Sequence, residues 1–194
     1  MTSSRDAALE IRAVSYDVPE ASAMIDVLQA YYRSLYNGPD RAPLDPAEFV
    51  PPGGRFFVGY QDGLPVAMGG WRWIDPLPQI SSERPVEIKR MYVIPDARGL
   101  GHARTILGHL EHTAREAGAD VIVLSTGPPQ QDAISLYRSS GYVDIPRFGY
   151  YARYDSAVHL GKRLDGGVLA AADPPEATQT HPALNGPQQG GTAR

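Results

Sequence analysis

Residues 85–104 read PVEIKRMYVIPDARGLGHAR, the order of residue types that a strand, a tight turn and a helix require. Residues 86–94 are rich in apolar and β-branched side chains and predict a strand, and residues 95–97 predict a turn. The helix that follows has apolar residues at alternating spacings of three and four, which form one stripe: Leu100, Ala103, Leu107, Leu110, Ala114 and Ala117. Gly118 then supplies a stop signal.

The turn of this unit has the composition of an anion-binding site. Gly99 and Gly101 lack a Cβ and can adopt positive φ, so the backbone there can approach a ligand closely. The first turn of a helix leaves N–H groups without intrahelical partners, and its dipole favours negative charge. Arg98 adds a permanent cation. The sequence therefore predicts a cradle for an anion such as a pyrophosphate.

Three kinds of nucleotide site have a glycine-rich turn between a strand and a helix. A P-loop requires Gly-Lys-Ser/Thr, which this chain lacks. A dinucleotide-binding fingerprint requires a small residue where Arg104 stands, and Asp120, at the distance of a ribose-binding acid, precedes the next strand instead of ending it. The third pattern, Arg-x-x-Gly-x-Ala, is met by Arg98, Gly101 and Ala103.

A second motif follows, since residues 130–142 read QQDAISLYRSSGY after a predicted strand at residues 121–125. In this order the two motifs resemble those of the Gcn5-related N-acetyltransferase (GNAT) superfamily, and the resemblance extends over residues 11–164. It implies a single-domain α/β fold, with a mixed, mostly antiparallel sheet, splayed central parallel strands and flanking helices.

The remaining elements are predicted from periodicity and from turn residues. They are a strand at 11–18, a helix at 21–35, a hairpin of strands at 55–60 and 64–73, a helix at 130–140, a strand at 142–145, and a last strand from Tyr150 or Ser156 to Leu164. Gly63 is placed for positive φ in the hairpin turn.

Composition and charge narrow the classes of protein. The chain has 194 residues and no cysteine, so it is long enough for one core and has no disulfide, thiolate metal site or cysteine nucleophile. A net charge of −4 disfavours nucleic acid as a partner. No apolar run approaches the ~18 residues of a membrane span, and residues 1–6 lack the apolar core of a signal peptide. We therefore expect a cytoplasmic protein without a membrane partner.

We expect three regions along the chain. Residues 1–10 form an N-terminal extension, residues 11–164 form the N-acetyltransferase domain, and residues 165–194 form a disordered C-terminal tail. The tail has no aromatic residue, and glycine and proline supply nine of its thirty positions, so it cannot bury enough apolar surface to offset its ordering entropy. Deletion of residues 166–194 is expected to leave the melting temperature nearly unchanged.

The resemblance to the GNAT superfamily implies acetyl-CoA as cosubstrate and assigns residues to its parts. Main-chain groups of Met91, Tyr92 and Val93 would pair with the pantetheine arm, in a cleft opened by a β-bulge and two diverging strands. The backbone of the glycine turn would hold the pyrophosphate: Arg98, Gly99, Leu100, Gly101, His102, Ala103 and Arg104. Gln130 stands where many members have an asparagine, so its amide would also contact the cosubstrate.

The resemblance also implies two chemical roles. Tyr137 would act as general acid and protonate the leaving CoA thiolate, with packing of its ring on the sheet as the alternative. Glu87 lies on the strand before the turn, where several members place a glutamate that serves as general base through water. Pairing of Glu87 with Lys89 or Arg90 is the alternative. We expect direct transfer in a ternary complex, with no metal.

The expected activity is transfer of an acetyl group from acetyl-CoA to a primary amine of a small molecule. Two alternatives stay open: a protein acetyltransferase that acts on an N-terminus or a lysine, and a non-catalytic acyl-CoA-binding regulatory module. Tyr137 favours catalysis, because a phenylalanine there would have favoured the module. Formation of a homodimer through the last strands or the sheet edges, as in many relatives, also stays open.

Aromatic residues mark the acceptor side. Trp71 and Trp73 share one face of a predicted strand, where they pack in the core or in a dimer, or line an acceptor pocket. Tyr31, Tyr32 and Tyr36 lie in the region that shapes the acceptor side in the family. Packing is the preferred interpretation for both groups.

Overall fold

The structure is a computed structural model that describes residues 8–169, and its strands form one sheet. In chain order the elements are β1 (Glu10–Val14), α1 (Pro19–Tyr36), β2 (Gly54–Gln61), β3 (Leu64–Trp73), β4 (Pro85–Val93), α2 (His102–Glu116), β5 (Val121–Thr126), α3 (Gln131–Ser139), β6 (Val143–Asp144) and β7 (Val158–Arg163). Short 3₁₀ segments lie at Pro46–Phe49, Pro78–Ile80, Pro95–Ala97 and Tyr150–Arg153. The strand order across the sheet is β1-β2-β3-β4-β5-β7-β6. These elements confirm the predicted α/β fold class.

Turn and capping residues set the ends of the elements. Pro19 occupies the first turn of α1, and Asn37 ends that helix in the left-handed conformation, with φ of 54°. The β2–β3 hairpin closes through Asp62 and Gly63, both at positive φ, which the favoured two-residue hairpin turn requires. Gly118, with φ of 89°, follows the end of α2 as predicted.

Three details differ from the sequence prediction, the first being the strand predicted at 11–18, which ends at Val14 before the turn into α1. Tyr150–Arg153 form a 3₁₀ segment, so β7 begins at Val158 and at neither of the two predicted positions. The helix α2 begins at His102, which leaves Leu100 outside it and exposed to solvent. The buried apolar stripe of α2 is Ile106, Leu107, Leu110 and Ala114.

The helices cover both faces of the sheet. One buried cluster joins the stripe of α2 to strand residues such as Val86, Ile88 and Ile122, and the other joins Leu28 of α1 to Met68 of the opposite face. Each fully buried aliphatic side chain contributes about 1.5–3 kcal/mol relative to its exposed state. These two clusters therefore hold β3 and β4 in place between the helices.

Trp71 belongs to the buried cluster of α2, and Trp73 packs against that cluster. Trp71 is 2% exposed, and its indole Nε1 donates a hydrogen bond of 3.0 Å to Thr113 Oγ1. The ring of Trp73 meets that of Trp71 edge to face, with centroids 5.8 Å apart. Core packing is therefore confirmed for Trp71.

Strands β4 and β5 form the one parallel pair among the described strands, and they separate along their length. They pair at Pro85 with Val121, at Val86 with Ile122 and at Glu87 with Val123. Beyond these pairs β4 continues to Val93 and β5 to Thr126 without pairing to each other. The sheet thus has an internal gap that opens toward the carboxyl ends of both strands, as the splayed strands of the prediction require.

A β-bulge lies in β4 beside this gap. Met68 of β3 pairs with Tyr92, and Gly70 pairs with Lys89, so Gly69 alone faces two residues, Arg90 and Met91. Arg90 has φ of 57°, in the left-handed region that costs a non-glycine residue roughly 1–2 kcal/mol. A bulge of this kind bends its strand, so it moves the end of β4 relative to β5.

The packed part of the chain continues past Leu164, where the sequence predicts the tail to begin. Leu169 is 7% exposed and belongs to a buried cluster with Val123, Ile145 and Phe148. Residues 1–7 and 170–194, which contain most of the predicted extension and tail, lie outside the described residues. None of the helices within residues 8–169 is long and apolar enough to cross a membrane.

Candidate active site

The glycine turn presents free backbone donors at the open end of the gap. Gly99 and Gly101 have φ of 77° and 83°, and no atom lies within 4 Å of where a Cβ would stand at either position. Gly101 is the N-cap of α2 and supplies no side-chain cap. Within residues 8–169 no acceptor is found for the backbone N–H groups of residues 99–103. The dipole of α2 adds to this row of donors, and the arrangement suits an anion.

The side chains of the turn take separate directions. Arg98 Nε donates to the Val93 carbonyl at 3.2 Å, and its guanidinium lies 5.7 Å from the Tyr31 ring centroid. The His102 side chain is buried, with its Nε2 3.1 Å from Gln61 Oε1, so only its backbone faces the turn. The turn therefore presents main-chain groups, while the Arg98 side chain lies against Val93 and Tyr31.

Arg104 ties the two motif-bearing helices together. Its Nη2 donates to Ser139 Oγ at 2.8 Å and its Nη1 donates to Ser140 Oγ at 3.1 Å. These serines end α3, so the first turn of α2 and the end of α3 are held at a fixed distance. The sequence motif places Arg104 only by its backbone, and this side-chain contact was not predicted.

Tyr137, the predicted acid, is buried and contacts the bulge of β4. Its side chain is 6% exposed, and its hydroxyl donates to Met91 Sδ of the bulge at 3.7 Å. The hydroxyl therefore meets β4 beside the gap, next to the predicted pairing residues Met91, Tyr92 and Val93. Burial raises the pKa of Tyr137 well above its ordinary value, so the phenol keeps its proton at neutral pH.

Glu87 is buried in a network of charged groups. Its Oε2 accepts from Arg72 Nη2 at 2.9 Å and from Arg72 Nε at 3.2 Å, and its Oε1 lies 2.7 Å from Lys89 Nζ. Arg72 also pairs with Glu48. The pairing with Lys89 is the alternative considered from the sequence, and the second cation is Arg72, not Arg90. Both carboxylate oxygens are thus held by cations.

Arg90 pairs with Asp40 instead. Asp40 also accepts from the Tyr151 hydroxyl and, at 2.9 Å, from the Ala42 backbone N–H, and Arg90 Nε donates to Tyr16 Oη at 3.3 Å. We call Asp40, Arg90 and Tyr151 the bulge clamp. Burial alone would raise the pKa of Asp40, but the hydrogen bond from Tyr151 and the charge of Arg90 outweigh it and lower that pKa. The carboxylate is therefore ionised.

An open cleft lies beside these charges. It has a volume of about 430 Å³ and is lined by Pro43, Leu44, Asp45, Glu48, Arg72 and Tyr150. Because Arg72 also holds Glu87, the cleft borders the buried charged network on the face of the sheet opposite α2. Its size falls in the range of about 300–1,000 Å³ that is common for small-molecule sites.

Gln130 is the N-cap residue of α3, and its side chain is already bonded. Its Nε2 donates to the Tyr36 hydroxyl at 2.8 Å, which joins the start of α3 to the end of α1. A Cβ at Gly127 would stand 2.3 Å from the same hydroxyl, so a larger residue there would require Tyr36 to shift. This contact ties Gln130 to the end of α1, a role that the motif did not indicate.

His159 is a buried group that the sequence analysis missed. It is 4% exposed, its Nδ1 lies 3.1 Å from Ser125 Oγ, and its Nε2 has no hydrogen-bond partner among the described residues. Burial lowers the pKa of His159, and the charge of Arg147 lowers it further. The imidazole is therefore neutral at pH 7.

Comparisons with known proteins agree with this geometry. A sequence model of the acetyltransferase (GNAT) family matches residues 21–142. The IAA acetyltransferase of Azospirillum brasilense is 35% identical over 142 residues, which are 73% of this chain and 88% of that protein. A Klebsiella pneumoniae structure described as an acyl-CoA N-acyltransferase superimposes with a TM-score of 0.65 at 25% identity, over 80% of this chain and 97% of its own.

A GNAT family acetyltransferase from Elizabethkingia anophelis, solved with acetyl-CoA bound, has a TM-score of 0.56 at 13% identity. It covers 80% of this chain and 97% of its own, and at that identity it supports the fold alone. The family match includes both sequence motifs, and the Azospirillum protein is similar over most of its length. This chain therefore belongs to the acetyltransferase (GNAT) family.

Proposed function

We propose that this protein transfers the acetyl group of acetyl-CoA to a primary amine of a small molecule by direct attack in a ternary complex. The observation that carries the proposal is the position of Tyr137. Its buried, protonated hydroxyl contacts Met91 at the gap between β4 and β5, and the glycine turn with its free donors follows the same end of β4.

The residues present fit the parts of acetyl-CoA. The unpaired edge of β4 at Met91, Tyr92 and Val93 offers main-chain groups to the amide-bearing pantetheine arm, in the way an added strand would pair. The backbone N–H groups of residues 99–103 would hold the pyrophosphate, with Arg98 beside it. Acetyl-CoA supplies a thioester whose acyl carbon an amine can attack.

Tyr137 would complete the transfer. The amine nitrogen forms a bond to the acyl carbon, and as the C–S bond breaks the thiolate takes a proton from the Tyr137 hydroxyl; the positively charged nitrogen then loses a proton to the phenolate, which leaves a neutral amide and restores the phenol. The phenol is protonated at neutral pH, so its proton is in place when the thiolate forms. No group of three or more His, Cys, Asp or Glu side chains within residues 8–169 is arranged to hold a metal ion. The scheme uses none.

The acceptor would enter from the cleft on the opposite face, beside Arg72 and Glu48. Glu87 is the proposed base, and it would act through water on the acceptor ammonium. Its carboxylate is paired with both Lys89 and Arg72, so one of these two ion pairs must lengthen when Glu87 takes the proton. The open cleft has room for a small molecule beside Glu48 and Arg72.

Two observations bear on the alternatives. The retained Tyr137 argues for catalysis over a non-catalytic acyl-CoA-binding module, because a module has no use for a buried acid at the gap. A protein N-terminus or a lysine remains the second candidate acceptor, since an extended peptide end can also enter an open cleft. The name of the Azospirillum relative adds IAA to the compounds worth testing.

Calorimetric titration with acetyl-CoA, free CoA and NADH tests the cosubstrate. We expect saturable one-to-one binding of the CoA species and none of NADH. Thiol release from acetyl-CoA is then measured with polyamines, aminoglycosides, amino acids, IAA and an unmodified peptide. A folded sample that binds no CoA species would refute both the enzyme and the module. Binding without turnover on any acceptor would favour the module, and turnover with the peptide alone would favour a protein acetyltransferase.

A further inference from the structure

Arg90 combines two features that rarely occur together. Its backbone is in the left-handed region at φ of 57°, and its side chain is buried, with 7% exposure. Of the other described non-glycine residues at positive φ, Asn37 and Asp62 have side chains known to tolerate that region, and Ser81 caps a short 3₁₀ segment. Arginine has no such tolerance, so the bulge needs support from elsewhere.

The bulge clamp supplies that support. The guanidinium of Arg90 binds the Asp40 carboxylate, and Asp40 is itself held by the Tyr151 hydroxyl, the Ala42 N–H and, through its own N–H, Gln29 Oε1 at 3.1 Å. Tyr16 adds a contact to Arg90 Nε at 3.3 Å. The bulge residue is thus tied to α1, to the segment after it and to the segment before β7.

We propose that Arg90 is a positioning residue whose buried ion pair with Asp40 holds the left-handed bulge conformation, and so holds the unpaired edge of β4 in the geometry that receives acetyl-CoA. This inference rests on the proposed function. Arg90 itself touches none of the glycine-turn residues, and Met91, the next residue, carries the contact to Tyr137. The clamp therefore acts on the cosubstrate through the main chain.

The clamp also joins the two halves of the site. Asp40 lies three residues before Pro43, and Tyr151 follows Tyr150, and both Pro43 and Tyr150 line the cleft. The guanidinium of Arg90 and the ring of Tyr151 meet at the same carboxylate. A shift of either cleft wall would therefore reach the bulge through Asp40.

Two substitutions at Arg90 separate the backbone role from the side-chain role. Arg90→Ala removes the anchor and keeps a Cβ, so the left-handed conformation loses its support. If the competent bulge is then populated in about a tenth of the molecules, the apparent affinity for acetyl-CoA falls about tenfold. Arg90→Gly removes the same anchor, but glycine adopts positive φ without it. We expect this variant to bind acetyl-CoA within about twofold of the wild type.

Asp40→Asn gives an independent test through a double-mutant cycle. It keeps the shape of the side chain and removes the charge that pairs with Arg90. We expect it to weaken acetyl-CoA binding in the native background and to have no effect on that binding in the Arg90→Gly background, because the two act through one conformation. Tyr151→Phe, which removes one donor to Asp40, should show the same pattern with a smaller change.

Acetyl-CoA titration calorimetry of the full chain, with melting temperatures for every variant, gives the outcome. Rescue by glycine, with Arg90→Ala weakened about tenfold, or about 1.4 kcal/mol, supports the inference. Equal affinity of Arg90→Ala and wild type overturns it, as does an equal loss in Arg90→Ala and Arg90→Gly. If Arg90→Ala does not fold, the Asp40→Asn variants decide. The inference is overturned if Asp40→Asn weakens acetyl-CoA binding in the Arg90→Gly background as well. A wild type that fails to bind acetyl-CoA refutes the proposed function, and the inference with it.

Discussion

Substitution of Tyr137 by phenylalanine removes one hydroxyl and keeps the ring, whose centroid lies 5.5 Å from that of Tyr142. Within residues 8–169 this hydroxyl donates only to Met91 Sδ, at 3.7 Å. Sulfur is a weak acceptor, so the free energy of unfolding should change by less than about 1 kcal/mol. Loss of a general acid slows a reaction by roughly 10²–10⁴, which is about 3–5 kcal/mol of transition-state stabilisation. The substitution should therefore change the free energy of unfolding much less than it changes the free energy of the transition state.

Thiol release at saturating acceptor measures turnover, and calorimetry measures the affinity for acetyl-CoA. Tyr142→Phe is the matched control, because Tyr142 is also buried and its ring packs against that of Tyr137. We expect Tyr137→Phe to keep its affinity and melting temperature while kcat falls, and Tyr142→Phe to keep all three. Normal turnover in Tyr137→Phe would refute the assignment of the acid. Equal losses of turnover in both variants would show that ring packing, and not proton donation, had been disturbed.

Three further predictions follow from the packing and charge of named residues. Gly101→Glu puts a carboxylate on the turn at φ of 83° and should abolish acetyl-CoA binding, while Gly108→Glu, at an open position on α2, should not; intact binding in the first variant removes the cradle. Truncation after Leu164 also removes Leu169 from its buried cluster and should lower the free energy of unfolding by about 1–3 kcal/mol in denaturant titration, whereas truncation after Leu169 keeps that contribution. Equal stability of the two truncated chains would show that Leu169 does not support the core. His159 has a pKa lowered by burial, so the unfolded state binds more protons below about pH 6.5, and stability should fall with acidification by up to about 1.4 kcal/mol per pH unit. His159→Gln should lose that part of the slope, and parallel pH curves for the two proteins would contradict the assignment.

Local patterns in the sequence predicted what depends on neighbours along the chain. The glycine turn needs positive φ at two positions, and Gly99 and Gly101 predict it because glycine adopts positive φ readily. The apolar stripe of α2 predicted its buried face. Leu100 was wrongly assigned to that stripe, because it lies before the helix. The gap between β4 and β5 came from the family resemblance, because no periodicity in the chain shows where two strands stop pairing.

Contacts between distant residues were not predictable in this way. Arg90 was one of two possible partners of Glu87, but its partner is Asp40, 50 positions away, and the third member of the clamp, Tyr151, is 111 positions from Asp40. Gln130 meets Tyr36 across 94 positions. Such pairs depend on sheet register and on where a loop returns, and one sequence carries no local mark of either. The positive φ of Arg90 could not be predicted for the same reason.

The gap between β4 and β5 has a consequence for how this protein can change over time. Every residue type except proline offers the same backbone N–H and C=O groups, so a ligand that pairs with the edge of a strand places little demand on the side chains there. The side chains of β4 at Glu87, Lys89 and Arg90 are therefore released to the opposite face, where they meet the cleft network and the clamp. On the proposed function, a substitution at Lys89, which lies outside the bulge, would change the acceptor side while the main-chain edge for the thioester donor stays the same. The main-chain edge of β4 would thus stay the same for the donor, while the side chains on its face could change with the acceptor.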